Sequence, residues 1–328
     1  MKSLLQNDLP ASVVVFLVAL PLCLGIALGS GAPPMAGVIA GVVGGVVVGA
    51  LSGSPISVSG PAAGLTSIVL MAISDLGSFP LFLTAVVLAG LFQLLFGLAK
   101  LGTVGHYVPN TVIKGMMAAI GIILIMKQIP HLVGYDVDFM GDENFVQPTH
   151  ENTFTGLYHA LWRITPAAAA VGALSLLLLV LADKTGWAKT SVGRIFPAAL
   201  VAVLAGVGFS FLLEGLGPDW VLSAEHRVEL GDGFNTWITP DWSGIQQTLV
   251  WTVAITIALV ASLETLLSVE AADKLDPLKR VTPTNRELMA QGAGNALSGL
   301  IGGLPVTSVV VRSSVNAQSG AQSKASTI

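Results

Sequence analysis

Long apolar runs separated by short polar breaks recur along the whole chain. Read as helices, the runs are Ala11–Gly29, Met35–Leu51, Pro61–Ser74, Pro80–Ala99, Val112–Met126, Ile164–Ala182, Ile195–Leu213 and Gln247–Ala272, and two shorter segments follow, Arg286–Ile301 and Pro305–Asn316. A helix of about 20 apolar residues crosses the hydrocarbon core of a bilayer. Most of these runs approach that length, whereas Pro61–Ser74 is too short to cross from edge to edge.

Composition agrees with the pattern. Hydrophobic residues make up 53% of the 328-residue chain and charged residues 10%. A water-soluble domain carries roughly 25% charged residues, so the chain reads as an all-α polytopic membrane protein. Ala11–Gly29 is long for the core of a signal peptide, and Gly29-Ser30-Gly31-Ala32-Pro33-Pro34 turns the chain into another span, so it is the first span. The single cysteine, Cys23, forms no internal disulfide and reads as a small apolar helix residue. The net charge of −4 singles out no partner, and the sparse basic residues carry no nucleic-acid signature.

The loops set an orientation. Lys100, then Lys184, Lys189 and Arg194, then Lys274, Lys279, Arg280 and Arg286 fall in alternate loops. The loops between them carry Asp136, Asp138, Asp142, Glu143 and Glu151, and later Glu214, Asp219, Glu225, Glu229, Asp232 and Asp241. Lys and Arg collect on the cytoplasmic side, which places the N-terminus inside a plasma (inner) membrane and the acidic loops outside.

Two places break the helical pattern at membrane depth. Pro55-Ile56-Ser57-Val58-Ser59 reads as extended chain, after which Gly60-Pro61 opens a short helix with proline at its first position. Gly302-Gly303 similarly turns into Leu304 and Pro305, which opens a second short helix. One such break would suit a kinked transmembrane helix; the matched pair favours two half-helices, each preceded by a short strand. Pro61 and Pro305 lie about 240 positions apart, as do the starts of the first span and the span near Gln247, an offset that suggests inverted repeats. Residues 1–215 then form a first repeat of seven spans, 216–244 an extracellular acidic loop, and 245–328 the start of a second repeat. A helix N-terminus carries roughly half a positive charge and unpaired N–H groups, so two of them near the midplane would attract an anion.

Polar residues inside spans are the remaining candidates. Glu264, with Ser268 four residues on along the same helical face, suits a proton carrier or a Na⁺ ligand; a purely structural carboxylate is the alternative. Glu270 lies off that face and suits a helix-end ion pair. Arg312, seven residues into the second short helix, could sit beside an anion, snorkel to the cytoplasmic interface, or pair with Glu264. Thr284-Asn285-Arg286-Glu287 fits a capping box. The five histidines show no metal-ligand spacing, and no nucleophile–base set points to an enzyme.

Four stretches, "LVALPLCLGIALGSGAPP", "SVSGPAAG", "SLETLLS" and "NRELMAQGAGNALSGLIGGLPVTSVVVRSSVN", resemble the SulP family of inorganic anion transporters, and the likeness runs over essentially the whole chain. The resemblance implies a seven-plus-seven inverted-repeat fold, a core domain moving against a gate domain, and homodimers. It implies a secondary active transporter of sulfate or bicarbonate, coupled to H⁺ or Na⁺ and working by alternating access without a cofactor beyond a coupling Na⁺. The anion then lies between the N-termini of the third and tenth helices, at Ala62, Ala63, Gly64, Val310, Val311 and Arg312, with Leu22 of the first helix nearby. Glu264 and Ser268 match the cation-binding acid and hydroxyl of Na⁺-coupled bicarbonate members. Many relatives are polar where this chain has Leu22, and helix eight carries Glu rather than Asp, which leaves H⁺ against Na⁺ open. The chain stops at Ile328, after helix ten, and a second repeat matching the first in length implies about 130 further residues with four more spans. A nucleobase or organic-anion symporter of the same fold, an anion channel and a nontransporting scaffold are the alternatives.

Overall fold

The computed structural model describes residues 7–107, 109–137, 152–187, 190, 192–193, 196–217, 220–222, 226 and 237–328. The acidic segment 138–151, most of the acidic residues expected in 216–244, and Lys189 and Arg194 lie outside the described residues.

In chain order the elements are α1 (Leu9–Gly29), α2 (Pro34–Leu51), the strand β1 (Ser59–Pro61), α3 (Ala63–Leu76), α4 (Phe79–Leu98), α5 (Asn110–Leu132), α6 (Thr153–Trp162), α7 (Pro166–Thr185), α8 (Ala198–Glu214), α9 (Thr248–Leu275), α10 (Thr284–Leu300), the strand β2 (Val306–Ser308) and α11 (Val310–Gln318). Among the described residues α1, α2, α4, α5, α7 and α9 are long and apolar enough to cross a membrane. Prolines stand in the first turns of α1, α2, α4 and α7, where the missing N–H has no helical partner to lose. Gly77 and Gly186 end α3 and α7 in the left-handed conformation. Residues 43–48 of α2 widen into a π-helical turn. α5 runs through Pro130 to Leu132, further than the expected Met126.

Two expectations fail locally. The capping box at Thr284 does not form: Pro283 holds the cap position, and Glu287 turns into the interior, where it is fully buried. Residues 153–162, expected as loop, form a helix started by a reciprocal cap between Asn152 and Thr155.

The chain divides into two compact units, residues 1–117 with 230–328, and residues 118–229. The first unit has a core of Ala27, Val48, Leu65, Phe82, Ala85, Ile257 and Ala261 among others. Its closest helix pair is α4 with α10. A Cβ on Gly90 would fall 2.6 Å from the Gly292 carbonyl oxygen, and one on Gly292 would fall 2.6 Å from the Leu94 nitrogen. Helices in lipid associate by such close packing of small residues, because hydrophobic burial gives little drive there. In the second unit α7 packs on α8, and Thr165 joins the start of α7 to the end of α5, with its N–H donating to Val133 O at 3.0 Å and its hydroxyl to Gly134 O at 2.9 Å.

Candidate functional site

At the centre of the first unit β1 and β2 pair antiparallel, Ser59 with Ser308, Gly60 with Thr307 and Pro61 with Val306. Both strands are wholly buried. Each leads into a short helix, so α3 and α11 start from opposite ends of one ladder. The prolines are placed differently from the expectation. Pro61 is the last residue of β1, and Ala62 is still extended at φ −113° and ψ 138° before the first turn of α3. Proline lacks an N–H to donate to a ladder but is tolerated at its margin. Pro305 precedes β2, and the helix expected from Pro305 begins at Val310. β-Branched Val306 and Thr307 find extended partners across the ladder, which overrides helix formation there.

Arg312 is therefore in the first turn of α11, not seven residues along it. It is 1% exposed, and its Nη2 donates to Pro61 O at 3.2 Å. Nη1 lies against Gly60, where any Cβ would overlap it. Cys23 of α1 faces the same guanidinium. Snorkelling to the interface is thus ruled out: the charge stays in the interior and ties α11 to the end of β1. Among the described residues its Nε has no hydrogen-bond partner.

A stripe of buried polar side chains that sequence reasoning passed over supports the ladder. Glu287, Gln291 and Asn295 recur every fourth residue on α10 and so share one face. Asn295 accepts from Val306 N at 2.5 Å and donates through Nδ2 to Val306 O at 2.9 Å and Gln93 Oε1 at 2.6 Å. Gln93 of α4 donates in turn to Ser262 of α9 at 3.3 Å. Gln291 donates to Ser59 Oγ at 2.7 Å and to Glu287 Oε1 at 3.1 Å, and Ser52 donates to the other Glu287 oxygen. From α11, Ser313 accepts from Val58 N at 3.0 Å, and Asn316 donates to Ile56 O at 2.9 Å. Non-helical backbone inside a membrane needs such partners, since no water reaches it. The four-residue spacing was the signal for this stripe.

Helix α9 packs against the first turn of α3, β2 and α11. The half-buried Glu264 carboxylate reaches the start of α3: a Cβ on Gly64 would lie 3.1 Å from its Oε1 and 3.4 Å from its Oε2. Ser268, one turn on, is buried. The hydroxyl that touches the ladder is that of Thr265, which accepts from Ser308 N at 3.3 Å. Of the other expected contacts, Ala62 and Val310 are buried, Val310 against Ile113 and Ala271. Leu22, Ala63 and Val311 are half-buried and Gly64 is exposed. Glu270 lies 3.9 Å from Lys274, the helix-end pair its position suggests.

Membrane-crossing helices around a short antiparallel ladder, with a half-helix starting at either end, define the class of interrupted-helix transport proteins. The sequence matches the sulfate permease family over residues 5–328, and the chain belongs to that family. It is 29% identical to the putative sulfate transporter YvdB of Bacillus subtilis, covering 98% of this chain and 57% of that protein. It is 30% identical to the bicarbonate transporter BicA of Synechocystis, covering 96% of this chain and 53% of that protein. The transmembrane domain of a cyanobacterial BicA superposes with a TM-score of 0.66 at 26% identity, over 100% of this chain and 80% of that one. SLC26A9 shares the fold, with a TM-score of 0.64 at 17% identity, over 98% of this chain and 51% of that one. The chain spans about half the length of the sequence relatives it matches.

Proposed function

We propose that this family member is a secondary transporter of small inorganic anions, sulfate or bicarbonate, coupled to H⁺ or Na⁺. The observation that carries the reading is the meeting of three features at one ladder: two half-helix starts, a buried arginine and a half-buried carboxylate. The half-helix N–H groups at Ala63, Gly64 and Val311 would bind the anion, their partial charges undiminished by bulk water. Arg312 would add a fixed positive potential from behind β1, strong because the interior screens it weakly. Glu264, with Ser268 or Thr265 supplying a hydroxyl, would carry the proton or hold Na⁺ through oxygen ligands. Binding of both at one ladder would let the first unit move with them between two openings, the basis of alternating access. The seven-plus-seven repeat, the homodimer and the cytoplasmic N-terminus in the plasma membrane belong to the same proposal, the last supported by the alternation of basic and acidic loops.

Uptake of radiolabelled sulfate and of bicarbonate into proteoliposomes holding the full-length protein, under imposed proton and sodium gradients, tests the reading. Gradient-driven accumulation of one of them is the expected result. Accumulation of a nucleobase or organic anion alone would replace the substrate class. Current far above any transport turnover, with no need of a gradient, would make the protein a channel.

A further inference from the structure

We infer that α6 is a membrane-interface anchor, lying in the boundary between headgroups and acyl chains at the surface where α5 ends and α7 begins. This does not rest on the transport reading. The helix is two-faced. Thr153, Gly156 and Ala160 are buried, whereas Phe154, Tyr158 and Trp162, each four residues from the last, are 62%, 60% and 76% exposed. Leu161 and Ile164 extend the apolar surface, at 68% and 51%. Tyr158 and Trp162 touch edge to face, and Phe154 lies one turn before them on the same face.

Its position relative to the bilayer follows from its neighbours. α5 and α7 are both long and apolar enough to cross a membrane, and the two hydrogen bonds of Thr165 hold the end of one to the start of the other. That junction marks a single membrane surface. Trp162 precedes Pro166, the first residue of α7, by only four positions, so α6 is held within roughly 14 Å of that surface by chain length alone. Tyr and Trp concentrate at this depth, where the ring body is apolar and its polar edge meets water. The exposed Arg163 stands between the ridge and the span, at the level of the lipid phosphates. The reciprocal cap of Asn152 and Thr155, with Asn152 Oδ1 accepting from Phe154 N at 3.0 Å and Thr155 N at 2.9 Å, starts the helix from within its own first turn. An amphipathic helix tethered this way to two spans fits the interface and nothing deeper.

Spin labels at Phe154→Cys, Tyr158→Cys, Trp162→Cys and, as the polar control, the exposed Lys184→Cys at the far end of α7 test the assignment in the protein reconstituted into liposomes. Cys23 is buried and needs no replacement. The ratio of oxygen to water-soluble nickel-chelate accessibility is expected to be several-fold higher at 154, 158 and 162 than at 184. Labels at the three aromatic positions that are as open to the nickel chelate as the control would place the ridge in water and overturn the inference. Labels there that are immobilised and closed to both reagents would show that protein, a second copy or a further helix, covers the ridge instead, and would overturn it equally.

Discussion

Single residues decide the chemistry of the ladder. Glu264 stands beside Gly64 at the start of α3, and an ionised group within a span is costly enough to argue for a function. Glu264→Gln keeps the volume and removes the charge. In the full-length protein, net uptake against a gradient is expected to fall to background at every pH, while anion-for-anion exchange persists because the half-helix starts remain; wild-type pH and Na⁺ dependence in the variant would assign Glu264 a structural role. At the end of α9, Asp276 accepts from Arg280 Nε at 2.7 Å, Arg280 N at 3.0 Å and Leu278 N at 3.1 Å, and Arg280 passes the contact on to Gln322 O at 2.8 Å. These bonds, Arg280 foremost, hold the carboxyl below its ordinary value. A depressed carboxyl contributes stability that is present above its unfolded value, about pH 4, and is lost as pH falls through the lower folded value. Asp276→Asn is therefore expected to lower the thermal midpoint in detergent at pH 7, and by less when both proteins are measured in strong acid. Arg312 was visible in the sequence as a charge; what it touches was not, because its partner, Pro61 O, is a backbone atom far off in the chain.

Elements show where pattern reading held and where it stopped. The long helices follow from apolar length alone, and their ends from proline and glycine. Short strands ahead of the half-helices were expected, but their pairing and extent were not: Val306-Thr307-Ser308 fell within the helix expected from Pro305, because its extended partner, Ser59-Gly60-Pro61, lies far off in the sequence. Nor did the apolar pattern reveal the α4–α10 pair, although both helices carry the small residues for it. Gly90→Leu is expected to abolish the folded, monodisperse species in detergent size-exclusion chromatography, since the backbone of α10 and not a movable side chain fills the space. Asn295→Ala strips partners from Val306 N, Val306 O and Gln93 together. Each buried polar group left unpaired costs about 1–3 kcal/mol. A clear drop in thermal midpoint is expected, with a larger loss of anion binding than Ser210→Ala, a change on exposed α8 surface.

The whole molecule adds a constraint of extent. Residues 1–328 correspond to about half of YvdB and of BicA, and α7 of the second unit presents Leu176, Leu177 and Leu181 to its surroundings. The proposed alternating access, by two inverted repeats, would need both of them. Purified residues 1–328 in proteoliposomes are therefore expected to give no gradient-driven uptake, although the first unit, with its closely packed α4 and α10, is expected to remain folded. Robust uptake by residues 1–328 would contradict the repeat count.

Taken alone, the sequence determined that this is a membrane protein of many helices, where most of those helices lie, and that two of them are interrupted. These are local properties: a run of apolar side chains is long enough to cross lipid or it is not, and Gly-Pro or Gly-Gly breaks a helix whatever surrounds it. Only the tertiary structure decided that the interruptions are paired strands, that Glu287 turns inward to Ser52 and Gln291 rather than capping its helix, and that Arg312 stays buried against Gly60 and Pro61. Each of those outcomes depends on a hydrogen-bond partner supplied from the far end of the chain. In a membrane interior without water, the partner that folding brings within reach decides which conformation the backbone takes.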